Sequence, residues 1–246
     1  MIRSEKSGSI GIITIDRPDR RNALGTTLIR TLSASLRRLD ADDTVRAVII
    51  TGAPPAFCAG SDLKELASLS SADMREHEAE TASVVRSISA LTKPVIASVE
   101  GYALGGGFML AIACDVVVSS GDAKWHLPEV PSGWLPIWGM RALMSRVGPM
   151  RARLLSWGAE KIDGHEAQRL GIVDYVVDNG EALGKALDVA KGLAALPSEA
   201  VSSVKTYFQP FVMMDAEQLD VQAHNAFARD CLSEAAQATM SKYRQI

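Results

Sequence analysis

Two glycine-bearing segments of this chain, FCAGSD at 57–62 and GYALGGGF at 101–108, have residue types that suit oxyanion binding. Each follows a predicted strand and precedes a predicted helix. Glycine lets a ligand approach the main chain closely, and a helix N-terminus presents unpaired N–H groups with a partial positive charge. Each loop alone is also typical of an ordinary turn. Together they predict a site that stabilises negative charge developing on one oxygen.

Neither segment matches the more familiar glycine motifs. The triple glycine at 105–107 is not followed by the GK[ST] of a phosphate-binding loop and does not form GxGxxG. Ser61 is not a predicted nucleophile, because AGSD lacks the GxSxG pattern that exposes such a serine. Main-chain N–H groups are therefore the expected donors.

Glu129 is a candidate general acid–base group because its sequence neighbours are mostly apolar or aromatic. A carboxyl group shielded from water has a raised pKa, and near neutrality it can both take and return a proton. A glutamate in a sequence is more often a solvated surface residue, so this role depends on the fold. The apolar neighbours are Trp125, Leu127, Val130, Trp134, Leu135, Ile137 and Trp138.

Composition argues against several other functions. The 246 residues carry a formal net charge of -3, with no basic stretch that would predict a nucleic-acid partner. The most apolar run, at 101–114, is shorter than the roughly 20 residues of a membrane span. The three cysteines are odd in number, which favours reduced thiols and a cytoplasmic location. The four histidines show no metal-ligand spacing, so we expect neither a metal nor a separate cofactor.

Short apolar strands alternate with helical patterns along the first part of the chain. The segments 9–16, 45–52, 93–101 and 115–120 are predicted strands, and helices are predicted after most of them. This order is typical of an α/β fold. Later segments are mainly helical, and we predict a core over 1–190 that holds the site and a C-terminal helical region over 191–246.

Five segments, RRNAL (20–24), FCAGSDLKEL (57–66), KPVIASVEGYALGGGF (93–108), CDVVV (114–118) and LPE (127–129), resemble successive signatures of the enoyl-CoA hydratase/isomerase (crotonase) family. The resemblance covers most of residues 9–180. It implies a spiral of β-β-α units with a C-terminal helical region, assembled as a homotrimer or a dimer of trimers. It also implies an acyl-CoA thioester as substrate, with the thioester enolate stabilised by the protein.

The same resemblance implies roles for individual residues. The N–H groups of Ser61 and Gly106 would form the oxyanion hole, and Glu129 would be the acid–base group. Contacts to CoA would fall on Arg20, Asn22, Ala23 and Leu24, on the backbone of Ala59 and Asp62, and on Lys64. The residues expected to line the acyl pocket are Phe108, Met109, Trp134, Ile137 and Trp138.

Two positions depart from common family patterns. Many hydratases of the family hold a water with two glutamates, and Met109 occupies the position of the first. Ile137 occupies the position where dehalogenases and dienoyl-CoA isomerases of the family place an aspartate. The first departure casts doubt on hydration, and the second argues against those two reactions.

Three hypotheses on function remain open at this point. The one that the sequence favours is isomerisation, because a single carboxylate at Glu129 can move a proton from C2 to C4 of an enoyl-CoA without water. The second is an enoyl-CoA hydratase, with a bulky or aromatic acyl group as one variant. The third is a non-catalytic RNA-binding or scaffold member of the family.

Overall fold

The computed structural model describes residues 1–244, which form eight strands and eleven α-helices. The strands are β1 (Ile2–Ser7), β2 (Ile10–Ile15), β3 (Ala47–Gly52), β4 (Val95–Val99), β5 (Tyr102–Leu104), β6 (Val116–Ser120), β7 (Lys124–His126) and β8 (Tyr175–Val177). The helices are α1 (Thr26–Ala41), α2 (Leu63–Ser68), α3 (Ser71–Ser87), α4 (Gly106–Ile112), α5 (Glu129–Ser132), α6 (Met140–Ser156), α7 (Gly164–Arg169), α8 (Ala182–Ala194), α9 (Ser198–Met213), α10 (Ala216–Asp230) and α11 (Glu234–Arg244).

Six strands form the main sheet in the order β1-β2-β3-β4-β6-β8. Strand β1 is antiparallel to β2, and the other four pairings are parallel. Strands β5 and β7 form a separate parallel pair. These two strands alternate along the chain with β6, which returns to the main sheet between β4 and β8.

Both faces of the main sheet are covered, which explains why its central strands are apolar throughout rather than alternating. Helix α8 packs on one face through its buried alanines Ala182, Ala186 and Ala190. The other face belongs to the larger core, which includes buried side chains of α1, α3 and α4. The prediction of an α/β fold with a helical C-terminal region is confirmed.

The predicted boundary at residue 190 falls inside α8, where Ala190 is fully buried against the sheet. The nearest break between helices lies at residues 195–197, between α8 and α9. The division into two regions stays a prediction. None of the helices within residues 1–244 is long and apolar enough to cross a bilayer.

Candidate active site

The two glycine-bearing loops lie against each other in the structure. The N–H of Cys58 donates to Tyr102 O at 3.0 Å, and the N–H of Leu104 donates to Cys58 O at 3.0 Å. These bonds form a short parallel bridge between the first loop and β5. Segments that are far apart in sequence are thereby fixed as neighbours.

Close approach of the two loops explains two of their glycines. A Cβ atom on Gly107 would lie 2.1 Å from the carbonyl oxygen of Cys58. Gly60 has a φ of +90°, and a Cβ there would lie 3.0 Å from the amide nitrogen of Gly106. Both contacts are too short for a side chain, so glycine is required by packing as well as by backbone conformation.

The N–H groups of Ser61 and Gly106 are the expected oxyanion donors, and the structure leaves both available. Gly106 is the first residue of α4, where an N–H has no partner within the helix. Among residues 1–244, neither N–H donates to another backbone or side-chain group. Both residues line the same cavity. That they bind a thioester oxygen stays a prediction.

This small cavity has a volume of about 20 Å³. It opens beside a larger one of about 70 Å³, which shares Ser61, Gly106 and Glu129 with it. The small cavity is lined by Ser61, Glu78, Gly106, Met109, Glu129, Pro136, Ile137 and Trp138. Backbone donors, carboxyl groups and apolar side chains therefore meet at one site.

Glu129 is the first residue of α5 and turns its carboxyl group toward the oxyanion loops. A Cβ atom on Gly105 would lie 2.7 Å from Oε1 of Glu129. The other carboxyl oxygen, Oε2, is buried and has no hydrogen-bond partner within the described chain. Loss of hydration raises the pKa of Glu129 to about 7, and the negative charge of Glu78 adds to this increase. The carboxyl can therefore exchange a proton near neutral pH.

A second carboxyl group, which belongs to none of the sequence signatures, lines both cavities. Glu78 on α3 is fully buried. Its Oε2 accepts a hydrogen bond of 2.7 Å from Nε1 of Trp138, and its Oε1 has no partner within residues 1–244. The available signal was helical spacing, because Glu78 lies on the buried stripe of α3 with Met74, Ala82 and Val85. A glutamate within such a stripe points into the protein.

The candidate acyl-pocket residues divide into two groups. Met109, Ile137 and Trp138 line the small cavity, and Trp134 and Ile137 line the larger one together with Phe227 and Met240 of the C-terminal helices. Phe108 lines neither. Its ring packs edge-on against Trp125 with centroids 5.1 Å apart. Successive helix residues differ in direction by about 100°, so Met109 faces the cavity and Phe108 faces the core. The expectation that Phe108 lines the pocket does not hold.

Four of the candidate CoA contacts, Asn22, Ala23, Leu24 and Asp62, are buried. The side chain of Asn22 accepts from the N–H of Arg17 at 2.8 Å and donates to Ala53 O and Ala56 O. Leu24 is fully buried, and its N–H donates to Gly60 O. These two residues therefore hold the oxyanion loop in place through hydrogen bonds and are not exposed to solvent. That Asn22 and Leu24 contact CoA stays a prediction.

The other candidates lie closer to solvent or are held by the backbone. Arg20 and Lys64 are partly exposed, and Ala23 lies in the turn between Arg20 and Leu24. The carboxylate of Asp62 caps α2 and forms an ion pair of 2.7 Å with Arg17. The N–H groups of Ala59 and Asp62 donate to Arg21 O and Leu24 O, and Asp62 O accepts from the N–H of Leu66. Of these backbone groups, only the carbonyl oxygen of Ala59 has no backbone hydrogen bond within residues 1–244. Contact of these residues with CoA stays a prediction.

Comparison with known proteins gives one family. A family model described as enoyl-CoA hydratase/isomerase matches residues 5–244. The chain is 35% identical over 238 residues to "Probable enoyl-CoA hydratase echA8" of Mycobacterium leprae, covering 95% of this chain and 92% of the relative. It is 34% identical to the "Short-chain-enoyl-CoA hydratase" of Clostridium acetobutylicum over 232 residues, covering 94% of this chain and 87% of the relative.

Comparison of the fold with solved structures indicates the same family. The crystal structure of an enoyl-CoA hydratase/isomerase from Xanthobacter autotrophicus Py2 superposes with a TM-score of 0.91 at 27% identity, covering 99% of this chain and 93% of that one. The crotonase-like architecture implied by the sequence signatures is therefore confirmed. The match over nearly the whole chain, the level of identity and the shared fold together show that this chain belongs to the enoyl-CoA hydratase/isomerase family.

Proposed function

We propose that this protein adds water across the double bond of a 2-enoyl-CoA to give a 3-hydroxyacyl-CoA. The observation that carries the proposal is the buried carboxyl of Glu129, with a pKa of about 7, beside the free N–H groups of Ser61 and Gly106. Relatives with more than 30% identity are named as hydratases, which supports the same reaction.

The chemistry follows from the properties of these groups. The thioester oxygen accepts from the N–H groups of Ser61 and Gly106, which polarises the conjugated double bond. Addition of water oxygen at C3, with one water proton passing to a base at the site, moves an electron pair onto the thioester oxygen and forms an enolate. Protonation at C2 by Glu129 then restores the thioester carbonyl. These steps use no metal or separate cofactor, and we expect none.

The sequence favours isomerisation on the premise that Glu129 is the single carboxyl group at the site. That premise is wrong, since Glu78 lines the same cavities from α3. With two carboxyl groups at the site, the absence of glutamate at Met109 no longer argues against hydration. The intact donors and the acid–base group also favour a catalytic role over an RNA-binding or scaffold role.

We further propose that the protein assembles as a homotrimer or a dimer of trimers. Tyr207, Phe208 and Phe211 on α9 are all more than half exposed and form a cluster with ring centroids 5.3–6.2 Å apart. A large exposed apolar patch is typical of a protein–protein interface. Light scattering of the purified protein is expected to give the mass of three or six chains, and Phe208→Asp is expected to lower it. A monomeric mass for the unmodified protein would contradict this proposal.

The test of function is a parallel assay with 2-enoyl-CoA and 3-enoyl-CoA substrates, following water gain by mass and double-bond migration by absorbance. We expect water gain from 2-enoyl-CoA. Glu129→Gln should lower this rate on the order of 10²–10⁴-fold. The matched control is Glu160→Gln, which makes the same change at an exposed position and should retain the rate. Migration in the unmodified protein without water gain would identify an isomerase instead.

A further inference from the structure

Glu78 is a buried carboxyl group that belongs to none of the sequence signatures. It has no exposed surface, and burial of a carboxylate is costly unless hydrogen bonds or a function compensate. Trp138 supplies one hydrogen bond, to Oε2. The remaining oxygen, Oε1, has no donor among the described residues. The fold therefore keeps one carboxyl oxygen of Glu78 free at a site with free backbone donors.

The geometry of the small cavity suits one water molecule held by two carboxyl groups. Its volume of about 20 Å³ exceeds the ~10–15 Å³ that one water needs. Glu78 and Glu129 both line it, and each has a buried oxygen without a partner, Oε1 and Oε2 respectively. A buried water requires two to four polar partners, and these two oxygens provide acceptors for both of its hydrogens.

The two carboxyl groups differ in position and surroundings. Glu129 approaches from α5, next to Gly105 of the oxyanion loop. Glu78 approaches from α3 and is fixed by the indole of Trp138. Met109 contributes only an apolar side chain to the same cavity. Glu78 on α3 can therefore supply the second carboxyl group that Met109 on α4 lacks.

We propose that Glu78 is a second catalytic carboxyl group, which holds and deprotonates the water that adds to C3. The inference rests on the proposed hydratase function. One water O–H proton passes to the Glu78 carboxylate while the oxygen bonds to C3 and the double-bond pair moves to the thioester oxygen. Glu129 then gives its proton to C2. The proton on Glu78 is lost and that on Glu129 regained through solvent, so the cycle consumes one water and no net proton.

Three other titratable groups lie close enough to Glu78 to interact with its charge. Glu129 on α5 and His224 on α10 both interact electrostatically with it, and so does Cys231 at the end of α10. Burial lowers the pKa of His224, so this side chain is neutral at pH 7 and does not neutralise Glu78. Burial raises the pKa of the Cys231 thiol to about 11, so it too carries no charge. Glu129 is therefore the group whose titration Glu78 affects most directly.

The test compares two reactions that use the site differently. Hydration of a 2-enoyl-CoA requires both carboxyl groups, whereas exchange of a C2 proton of a saturated acyl-CoA in D₂O requires only Glu129 and the oxyanion hole. Glu78→Gln keeps the shape and an acceptor for Trp138. We expect it to lower hydration on the order of 10²-fold or more and to leave exchange within about threefold. The matched control, Glu76→Gln, makes the same change at an exposed position of α3 and should leave both rates unchanged.

Two further variants separate catalysis from structure. Glu78→Asp keeps a carboxyl group and should recover part of the hydration lost in Glu78→Gln. Glu129→Gln should abolish both reactions. Exchange requires Glu129 in its deprotonated form, so its rate falls as pH drops through the pKa of Glu129. Since the charge of Glu78 raises that pKa, Glu78→Gln should also move this acidic limb of the exchange profile to lower pH. A Glu78 side chain that only filled space, without a charge beside Glu129, would not produce this shift.

The outcomes distinguish the inference from the function on which it rests. Hydration by Glu78→Gln at the unmodified rate would overturn the inference, while the hydratase function would stand. Equal loss of hydration and exchange in Glu78→Gln would also overturn it, because Glu78 would then only shape the site. If the unmodified protein fails to hydrate 2-enoyl-CoA substrates but still exchanges C2 protons, the proposed function itself is wrong.

Discussion

The indole N–H of Trp138 donates a hydrogen bond of 2.7 Å to Oε2 of the fully buried Glu78. The same indole ring packs over the oxyanion loop, where a Cβ on Gly106 would lie 2.9 Å from it. Trp138 therefore fixes a carboxyl group with its polar edge and the loop with its ring. This arrangement links α3 to the start of α4 through one side chain.

Trp138→Phe should lower stability more in the unmodified protein than in a Glu78→Gln background. Phenylalanine removes the donor and leaves a buried charged oxygen unpaired, which costs about 1–3 kcal/mol. A neutral amide at residue 78 loses less when the indole is removed. Urea unfolding of the two single variants and the double variant measures this coupling. Strictly additive changes in the free energy of unfolding would show that the charge of Glu78 adds nothing to this hydrogen bond.

The rate of hydration should fall as pH rises above about 7, the pKa to which burial raises the carboxyl of Glu129. Above that pH, Glu129 is deprotonated and has no proton to give to C2. Because the overall reaction consumes no net proton, dehydration of the 3-hydroxyacyl-CoA should follow the same profile. Measuring kcat/KM against pH in both directions checks this. A profile that stays flat well above neutral pH would remove Glu129 as the proton donor.

The free energy of unfolding should also vary with pH because of Glu129. Its pKa is about 7 in the folded protein against an ordinary value of 4.5, so the folded state retains a proton that the unfolded chain releases between these values. The free energy of unfolding therefore falls as pH rises through this window, by about 1.4 kcal/mol per unit of pKa difference at most.

Glu129→Gln should remove that dependence, so the variant gains stability relative to the unmodified protein as pH rises. Denaturant unfolding of both proteins on either side of the window gives the difference. An unchanged difference across the window would mean that the carboxyl of Glu129 is as well solvated in the folded protein as in the unfolded chain.

Removal of one N–H donor from the oxyanion hole should lower kcat. Gly106→Pro removes the N–H at the first position of α4, where proline is tolerated because this N–H has no helical partner. Gly106→Ala is the matched control, since it adds a Cβ beside Trp138 and keeps the N–H. We expect the proline variant to be slower than the alanine variant by about 10²–10³-fold. Equal rates would exclude the Gly106 N–H as a donor to the oxyanion.

Lys64 tests the predicted CoA contact. Its side chain is partly exposed beside the capped start of α2. Lys64→Ala should raise KM for an enoyl-CoA while leaving kcat unchanged. It should not affect the corresponding pantetheine thioester, which lacks the nucleotide phosphates. Lys191→Ala, an exposed lysine on α8, is the control. Equal effects on both thioesters would place Lys64 away from the nucleotide.

Much of the fold was predictable because its signals are local. The alternation of apolar strands and helices predicted β2, β3, β4, β6 and the helices between them. Strands β5 and β7 are only three residues each, too short to show a period, and they are defined by pairing with each other. Their existence depends on tertiary contacts that a periodicity analysis does not contain.

Side-chain contacts of the site were less predictable for the same reason. Phe108 and Met109 are adjacent and similarly apolar, yet the rotation of α4 sends one to the core and the other to the cavity. Asn22 belongs to a family signature, and only the folded loop shows its amide bonded to Arg17, Ala53 and Ala56. In each case the direction of the side chain decides the role.

The sequence by itself determined the family, the α/β fold and the two glycine loops, because backbone conformation and strand–helix order are encoded in short segments. It also identified Glu129 through its apolar neighbours. Only the tertiary structure decided that a second carboxyl group, Glu78, reaches the same cavity. Its place there depends on how α3 packs against the segment that carries Trp138, and the orientation of two packed helices is set by their many long-range contacts together.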